Sequence, residues 1–358
     1  GLKRYKKRLG SKKYNEVMAI FATGNTSFDQ LIQKLVQAAD DVDFFDKLLR
    51  DHMLNSLRNE RKERDEFLHT VEIARNEVNA FLPISKNDHA SLLLKESIID
   101  AANYSLEGDG KRLRPIMTWM MAVNGYGLHK SAIVPLLKSL EYMHTASLIF
   151  DDLPAQDNAS TRRGRTTLHQ QYNNAIAELT GLFLTQKAIE EQTLLDQFDA
   201  KTVLHLIQYS ARIAMDMCRG QAMDLDSKGK QLNLEQLKTM CFYKTGIAFE
   251  AALIMPAILA QVKETEMEAL KRFALHVGIA FQIKDDLLDV EGDSVILGKT
   301  SGIDEENNNA TFVSILGQDA ARKEMWEQYC LAMEALVEVP CNTGFLKQLA
   351  NYVVHRDR

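Results

Sequence analysis

The sequence predicts an all-α fold, and three observations carry that prediction. The 358 residues include only 6 prolines and 18 glycines, so few positions interrupt a long helix. Apolar residues recur at intervals of three and four between Ser27 and Phe81, starting with Phe28, Leu31 and Ile32. Beyond residue 88 about eight to eleven further helices are predicted between glycine-containing turns, and no segment there shows the period-two alternation of a strand.

Composition and charge exclude several classes of protein. With 46% hydrophobic and 26% charged residues, the chain is neither intrinsically disordered nor collagen-like. Its formal net charge of -6 argues against a nucleic-acid partner, because general nucleic-acid binders need a basic field over a whole domain. The four cysteines form no CxxC pair and suit a reducing compartment, so we expect a cytoplasmic protein. The longest nearly apolar stretch, Ala251 to Val262, is too short to span a bilayer.

The first 87 residues are predicted to form a charged, helical N-terminal extension. Residues 1–13 contain seven Lys or Arg and no acid, which is typical of a solvated tail, with contact to an anionic surface or a partner as the alternative. Helical patterns then continue to Phe81 through the charge-dense run Arg58 to Glu66. Proline and serine cluster in residues 83–87, the predicted linker, so we place the second domain at residues 88–358.

Two acidic clusters each follow an apolar helical stretch. On a helix, four polar residues of the second cluster fall within a sector about 100° wide: Gln282, Asp285, Asp286 and Asp289. Three carboxylates on one face repel one another, and hard oxygen ligands at this density suit Mg²⁺. The alternative interpretation is a solvated acidic helix face.

The first acidic cluster consists of Asp151, Asp152 and Asp157. Pro154 cannot continue a helix, so the first two aspartates are expected at a helix C-terminus and the third on the turn beyond it. Carboxylates at that end oppose the helix dipole at a cost of about 0.3–1 kcal/mol each, which a bound cation would offset. His144 lies two turns before Asp151 and can face the same cavity, although a satisfied core histidine is the alternative.

Two basic segments complete the pattern. Lys111, Arg112 and Arg114 follow a glycine turn and open a helix, and Arg162 and Arg163 come shortly after the first acidic cluster. Guanidinium groups and a helix N-terminus are suited to binding diphosphate groups. Two basic loops beside two acidic helices therefore indicate two diphosphates. Mutual neutralisation in surface salt bridges, worth about 0–1 kcal/mol each, would explain one such pair more easily than four clusters.

Seven ordered motifs resemble the trans-isoprenyl diphosphate synthase (polyprenyl synthetase) family, and in particular bacterial short-chain geranylgeranyl and farnesyl diphosphate synthases. The motifs are GKRLRP at 110–115, HTASLIFDDLPAQD at 144–157, RRG at 162–164, GQAMDL at 220–225, KTG at 244–246, FQIKDDLLD at 281–289 and GKTSGID at 298–304. The resemblance covers about residues 88–358. It implies a helical bundle of the isoprenoid synthase type around a central cavity, and a homodimer.

The resemblance also implies roles for single residues. Six aspartates would hold Mg²⁺ on an allylic diphosphate and count as catalytic together with Lys244: Asp151, Asp152, Asp157, Asp285, Asp286 and Asp289. Isopentenyl diphosphate would be bound by Lys111, Arg114, His144 and Arg163. The allylic diphosphate would be bound by Arg162, Lys244, Thr245, Gln282 and Lys299.

The activity that the resemblance implies is that of a Mg²⁺-dependent prenyltransferase. It would condense isopentenyl diphosphate with an allylic diphosphate and release a longer trans-prenyl diphosphate. Product length should follow the depth of the apolar tunnel below the first acidic cluster. Ala146 and Ser147, about one helical turn before Asp151, are small where an aromatic residue would close the tunnel, which favours a C20 product, geranylgeranyl diphosphate.

Two alternative functions stay open at this point. One is a class I terpene cyclase, against which the retained isopentenyl diphosphate residues argue. The other is a weakly active subunit of a heteromeric synthase, against which the intact aspartates argue. Three departures keep both alive, since the family often has Asp, Met and Lys where this chain has Leu182, Gln156 and Asn309. The N-terminal extension is expected to dock on the synthase, a membrane or a partner protein.

Overall fold

The computed structural model describes residues 44–85, 97–107, 110–296 and 310–356. These ranges are almost entirely helical, which confirms the all-α prediction. The helices are α1 (Phe44–Phe81), α2 (Ser97–Leu106), α3 (Leu113–Trp119), α4 (Lys130–Asp152), α5 (Leu168–Gln171), α6 (Asn174–Thr193), α7 (Ala200–Ser227), α8 (Leu234–Cys241), α9 (Ile247–Leu259), α10 (Glu264–Ile296), α11 (Phe312–Leu316), α12 (Gln318–Leu336) and α13 (Gly344–His355).

Three shorter elements join these helices. A π-helical turn, Met120–Gly125, continues α3, and a second one, Phe242–Gly246, connects α8 to α9. After α4 the chain forms a small antiparallel hairpin of β1 (Thr161–Arg162) and β2 (Arg165–Thr166). π-Helical turns are rare and often lie at functional sites, which directs attention to the turn that carries Lys244.

Helix α9 forms the centre of the bundle. Its residues are apolar on every side apart from Glu250, the pattern of a fully buried helix, and it packs against α3, α7 and α10. The longer run Leu234–Leu259 has the length and mean hydropathy of a membrane span, yet 78% of its most apolar window is buried inside the protein. Its apolar character is therefore accounted for by its place in the core.

Helix α4 carries the first acidic cluster to one end of the bundle. It packs along α6 and ends at Asp152, two residues before Pro154, as the proline predicts. The amide of Asp157 then donates a hydrogen bond to the carbonyl of Asp151 at 2.9 Å, which folds the following turn back onto the helix end. Asp151 and Asp157 are thereby held close together.

Helix α1 shares the core with the rest of the chain. Ala74, Val78 and Leu82 are buried among side chains of the later helices. Beyond the helix, Asn103 of α2 pairs with both backbone groups of Ile84, at 2.8 and 3.0 Å. The turn signal that placed a boundary at residue 88 thus marks the end of a helix, while residues 74–84 pack as part of the same bundle. The basic tail, residues 1–13, lies outside the described residues.

Candidate active site

A cavity of about 810 Å³ lies between α4, α6, α7, α9 and the π-helical turn before α9. Its lining includes seven of the residues predicted from the sequence: Asp151, Asp157, Arg114, His144, Arg162, Lys244 and Thr245. The remaining lining is largely apolar or small. A cavity of this size with convergent polar groups at one part of its wall is typical of a ligand site.

Asp151 is a carboxylate whose charge is not neutralised by an ion pair within the described residues. It is half-buried, and within the described part of the chain it has no ion pair or side-chain hydrogen bond. Burial and the nearby charge of Asp157 raise the pKa of Asp151 to about 6. Asp157 lies on the adjacent turn, 3.5 Å from the amide nitrogen of Gln221 and 3.7 Å from the Nζ of Lys228.

Asp152 has a different environment from its neighbour. It is buried, and its carboxylate accepts two hydrogen bonds from Arg162, at 2.8 Å from Nε and 2.7 Å from Nη2. This hydrogen bonding raises the pKa of the Arg162 guanidinium. Asp152 does not line the cavity of Asp151 and Asp157. The structure therefore brings the first and third aspartates of the cluster together and assigns the second to holding Arg162 in place.

The second acidic cluster is likewise divided among partners. Asp286 is buried and accepts hydrogen bonds from the Gln282 amide at 3.0 Å and from the backbone N–H of Phe312 at 2.8 Å, so it ties α10 to α11. Asp289 lies exposed one turn after Asp285 on α10. Gln282, predicted to bind the allylic diphosphate, is here engaged with Asp286.

Asp285 forms an ion pair with Arg356, a residue that the sequence motifs do not include. The Arg356 Nη2 lies 2.6 Å from Asp285 Oδ1, and its guanidinium stacks 4.0 Å from the ring centroid of Phe281. Arg356 follows α13 and its side chain is 3% exposed. The sequence offers no motif for it, since Arg356 is one of two arginines among the last three residues.

The four residues predicted to bind isopentenyl diphosphate form one basic group. Arg114 Nη1 lies 3.2 Å from His144 Nε2. The positive charge of Arg163 lowers the pKa values of Arg114, His144 and Lys111. Burial lowers the pKa of Arg114 to about 10, and burial with the neighbouring Arg162 lowers that of Arg163. Burial thus disfavours the charged form of these groups, and a bound anion would offset that cost.

His144 is neutral in this group. Burial, followed by the charges of Arg114 and Arg163, holds its pKa well below the usual range. Since arginine can only donate, the Nε2 of the neutral ring accepts the hydrogen bond from Arg114. His144 thus orients a guanidinium without adding or removing charge.

Backbone strain surrounds the same group. Arg112 and Arg163 both adopt positive φ, 49° and 51°, a conformation that residues with a side chain rarely take. A Cβ on Gly110 would meet both guanidinium groups, at 3.0 and 3.2 Å. Arg112 itself is held by a buried ion pair with Glu141 and by Asn79 of α1 at 2.8 Å from Nε. The strained loop is therefore fixed by contacts from two helices.

Lys244 approaches the cavity from the π-helical turn and pairs with a residue to which sequence reasoning gave no role. Its Nζ lies 2.6 Å from Oδ2 of Asp224 on α7. Gly220 permits this approach, because a Cβ there would lie 2.6 Å from the carbonyl of Tyr243. The motif GQAMDL at 220–225 contains Gly220, Gln221 and Asp224, so the signal was present in the sequence.

The residues around this cavity fit a magnesium ion that binds together with a phosphate ligand. The donor set is composed of carboxylate oxygens, and the pKa of Asp151 stays raised by burial and Asp157 although Lys244 and Arg162 are near. Across the described residues, no three His, Cys, Asp or Glu side chains lie close enough to form a complete metal cage. Mg²⁺ retains several waters and bridges one or two carboxylates to substrate phosphates, so it requires no such cage.

Comparison with known proteins places this site in a family. A family model described as polyprenyl synthetase matches residues 95–338. The chain belongs to the polyprenyl synthetase family. It is a trans-prenyltransferase by that membership. The farnesyl diphosphate synthase of Micrococcus luteus is 36% identical over 72% of this chain and 89% of its own length.

Two further similar proteins are a geranylgeranyl diphosphate synthase and a geranyltransferase whose structure contains bound ligands. The geranylgeranyl diphosphate synthase of Cyanophora paradoxa is 36% identical over 73% of this chain and 88% of its own. The crystal structure of a Helicobacter pylori geranyltransferase complexed with magnesium and isoprenyl diphosphate is 28% identical. It has a TM-score of 0.65 and covers 80% of this chain and 96% of its own.

The positions that depart from the family pattern lie in different surroundings. Leu182 is exposed on α6 and does not line the cavity. Gln156 does line it, beside Asp157. Asn309, the third departure, lies outside the described residues. Lys299, predicted to bind the allylic diphosphate, also lies outside them. Neither Leu182 nor Gln156 replaces one of the six aspartates of the two acidic clusters in this prenyltransferase.

Proposed function

We propose that this prenyltransferase condenses isopentenyl diphosphate with an allylic diphosphate in a Mg²⁺-dependent reaction that yields a C20 trans-prenyl diphosphate. The observation that carries the proposal is the layout of the cavity. Carboxylates and cations meet at one end of α4, and small or apolar side chains continue along the same helix below them.

The two diphosphates would occupy different parts of that polar end. Asp151 and Asp157 are placed to hold Mg²⁺ on the allylic diphosphate, with Arg162, Lys244 and Thr245 along the same wall. Bound Mg²⁺ would neutralise the charge that develops on the leaving diphosphate. Asp285 would join the site on release from Arg356.

The basic group would hold isopentenyl diphosphate through Lys111, Arg114 and Arg163, while neutral His144 orients Arg114. The allylic C–O bond breaks, and its electron pair leaves with the diphosphate. The double bond of isopentenyl diphosphate then supplies the pair for the new C–C bond. Loss of one proton to the released diphosphate restores a double bond. Apolar walls exclude water from the cation, so the protein needs no covalent nucleophile.

Small residues below Asp151 support a product longer than C15. Ala146 and Ser147 both line the cavity, and neither obstructs it. An Ala146→Tyr variant should therefore shorten the product to C15, and Ala146→Val serves as the smaller control. An unchanged product distribution in the tyrosine variant would contradict a tunnel that passes this residue.

We also propose a homodimer that forms through a surface of α6 and α7. Five large apolar side chains lie 38% to 67% exposed at helical spacing on these two helices: Leu179, Leu182, Ile189, Leu204 and Met215. A patch of this kind is self-complementary across a two-fold axis. Leu179→Asp combined with Leu204→Asp should give a monomer in light scattering, whereas the isolated exposed Val337→Asp should not.

Two further proposals concern location and the N-terminal extension. Free cysteines at positions 218, 241, 330 and 341 support a reducing, cytoplasmic compartment.

The basic residues 1–13 support a peripheral contact with an anionic membrane or partner protein. Co-sedimentation of the full chain with phosphatidylserine vesicles, compared with a chain lacking residues 1–13, tests that contact.

The deciding experiment for the function is a product analysis. Purified protein and Mg²⁺ are incubated with farnesyl diphosphate, with and without isopentenyl diphosphate, and the products are identified by mass spectrometry. We expect geranylgeranyl diphosphate only when isopentenyl diphosphate is present, and no product with EDTA. A hydrocarbon formed without isopentenyl diphosphate would instead show a cyclase.

A further inference from the structure

A cavity of about 550 Å³ separates helix α1 from the loop of residues 110–112 that follows α2. Two side chains of α1 contact the loop beside this cavity. Arg75 Nε donates a hydrogen bond to the carbonyl of Lys111 at 3.4 Å. Asn79 Oδ1 accepts one from Arg112 Nε at 2.8 Å. Because the cavity takes the place of close packing here, such single contacts decide how the loop is held on this side.

The guanidinium group of Arg112 is fixed by acceptors on three helices. Besides the bond to Asn79, its Nη1 donates to Glu141 of α4, and its Nη2 donates to the carbonyl of Leu106 at the end of α2. A planar guanidinium that is held at all three nitrogens has a fixed orientation. Arg112 is buried and bound in this way, so it holds the loop in place and does not bind a substrate.

This anchor maintains a strained backbone. Arg112 has a φ of 49°, in the left-handed region, and such strain persists only where surrounding contacts hold it. If Nε loses its acceptor, the side chain can turn about its remaining contacts and the backbone can relax towards negative φ. That relaxation would rotate the peptide group shared with Lys111 and the first turn of α3, which carries Arg114. Water in the cavity can accept from Nε, but water is not attached to α1 and does not fix its direction.

We propose that Asn79 is a positioning residue that sets the affinity for isopentenyl diphosphate through Arg112. In the proposed function, on which this inference rests, Lys111 and Arg114 bind that substrate from either side of Arg112. Within the described residues the Lys111 ammonium has no hydrogen bond or ion pair, so its direction follows from the backbone that carries it. Asn79 lies outside residues 95–338, which the family model matches, so this contact comes from the N-terminal part of the chain.

The effect is expected for only one of the two substrates. The residues placed around the allylic diphosphate lie at the end of α4, in the turn and hairpin after it and in the π-helical turn before α9. None of them lines the cavity beside α1: Asp151, Asp157, Arg162, Lys244 and Thr245. A shift of the loop 110–112 should therefore weaken binding of isopentenyl diphosphate and leave binding of the allylic diphosphate unchanged. A general loss of stability would affect both substrates.

The test compares three variants by steady-state kinetics with Mg²⁺, farnesyl diphosphate and isopentenyl diphosphate. Asn79→Leu removes the acceptor, and leucine suits a helix better than asparagine, so α1 itself is not weakened. Asn79→Asp keeps an acceptor oxygen at the same place. Asn76→Leu is the matched control, because Asn76 is also exposed on α1, lines the same cavity and has no side-chain hydrogen bond within the described residues.

For Asn79→Leu we expect the KM for isopentenyl diphosphate to rise about tenfold, while kcat and the KM for farnesyl diphosphate stay at the wild-type values. Asn79→Asp and Asn76→Leu should match the wild type in all three constants. Titration calorimetry with isopentenyl diphosphate in the absence of Mg²⁺ should show the same loss of affinity in Asn79→Leu, since the carboxylates cannot hold a diphosphate without the metal.

Three results would overturn the role of Asn79 while prenyl transfer stands. They are an unchanged KM and affinity in Asn79→Leu, an equal change for both substrates, and the same loss in Asn79→Asp or Asn76→Leu. Absence of any condensation by the wild type would overturn the proposed function itself.

Discussion

His144 shows how a single side chain can be fixed in one charge state by its surroundings. It is buried beside Arg114 and near Arg163, and both the burial and the positive charges disfavour its protonation. The unfolded chain has neither restraint, so as pH falls it binds a proton at this position before the folded chain does. The stabilising contribution of His144 is therefore fully present above about pH 6.5 and is lost as pH decreases below that value.

The prediction is a stability difference that depends on pH. Between pH 7.5 and 5.5, wild-type protein should lose up to about 1.4 kcal/mol more of its free energy of unfolding than His144→Gln does. Urea denaturation at the two pH values, without Mg²⁺ or substrate, measures both losses. Equal losses in the two proteins would show that folding leaves the pKa of His144 unchanged.

The buried ion pair between Arg112 and Glu141 leads to a second prediction. Both side chains are almost fully buried, and Arg112 occupies a strained left-handed backbone conformation in the loop that carries Lys111. Removal of one partner leaves the other charge buried without compensation, which costs about 3–5 kcal/mol. We expect this loss for Glu141→Ala in urea denaturation.

Two matched variants separate the ion pair from general effects of substitution. Glu334→Ala changes an exposed glutamate on α12 and should shift the free energy of unfolding by less than about 0.5 kcal/mol. Glu141→Gln keeps a hydrogen-bond acceptor for Arg112 and should fall between the two. If Glu141→Ala were as stable as Glu334→Ala, the pair would contribute nothing to the fold.

The aspartates mark how far single residues can be assigned from sequence. Both acidic clusters and the basic residues around them can be selected from the sequence because their residue types carry the chemistry, and their roles stay predictions. Asp151 and Asp152 are adjacent in sequence, yet only Asp151 faces the large cavity. Asp152 pairs with Arg162 across a turn, and the outcome depends on that turn rather than on helical spacing.

At the scale of elements, the close approach of α7 to the π-helical turn positions Lys244. A Cβ on Gly220 would lie 2.6 Å from the carbonyl carbon and oxygen of Tyr243 and 2.9 Å from the amide nitrogen of Lys244. These are backbone atoms, which cannot move aside as the end of a side chain can. The contact between the two elements therefore requires glycine at this position.

Gly220→Ala is expected to force the two elements apart. We predict a loss of about 1–3 kcal/mol in the free energy of unfolding and a lower kcat for prenyl transfer, since Lys244 would move from Asp224. Gly292→Ala in α10 is the matched control, because a Cβ there meets no atom within 4 Å. It should preserve kcat. Wild-type stability in Gly220→Ala would contradict the close packing.

The elements themselves were predictable wherever local signals decide them. Helical periodicity and Pro154 predicted α4 and its end at Asp152. The position of Arg356 depends on how α13 returns to α10, a contact between residues 71 positions apart in sequence. No local pattern encodes such a contact. The boundary predicted at residue 88 rests on a turn signal, and a local signal of that kind does not report the burial of Ala74 and Val78 of α1 among later helices.

At the scale of the whole molecule, the cavity changes from charged to apolar along helix α4. Its C-terminal end carries Asp151 and faces the cations of the neighbouring loops, whereas small and apolar residues before it, such as Ala146 and Met143, line the rest of the cavity. One helix thus spans from the charged end of the cavity to its apolar part. Function at this scale depends on every helix that lines the cavity remaining in place.

Truncation of helix α1 tests whether the helical bundle can fold without the N-terminal part of the chain. Val78, Leu82 and Ile84 are buried, and burial of each stabilises the fold by about 1.5–3 kcal/mol. Their sum approaches the 5–15 kcal/mol of a typical domain, so a chain lacking residues 1–87 should not fold. A chain lacking residues 1–57 keeps these side chains and the contact of Glu63 with Gln348, so it should unfold cooperatively at the wild-type urea midpoint. Circular dichroism of both truncations measures whether each chain folds. A folded chain without residues 1–87 would support the domain boundary predicted at residue 88, because it would show that α1 is dispensable to the core.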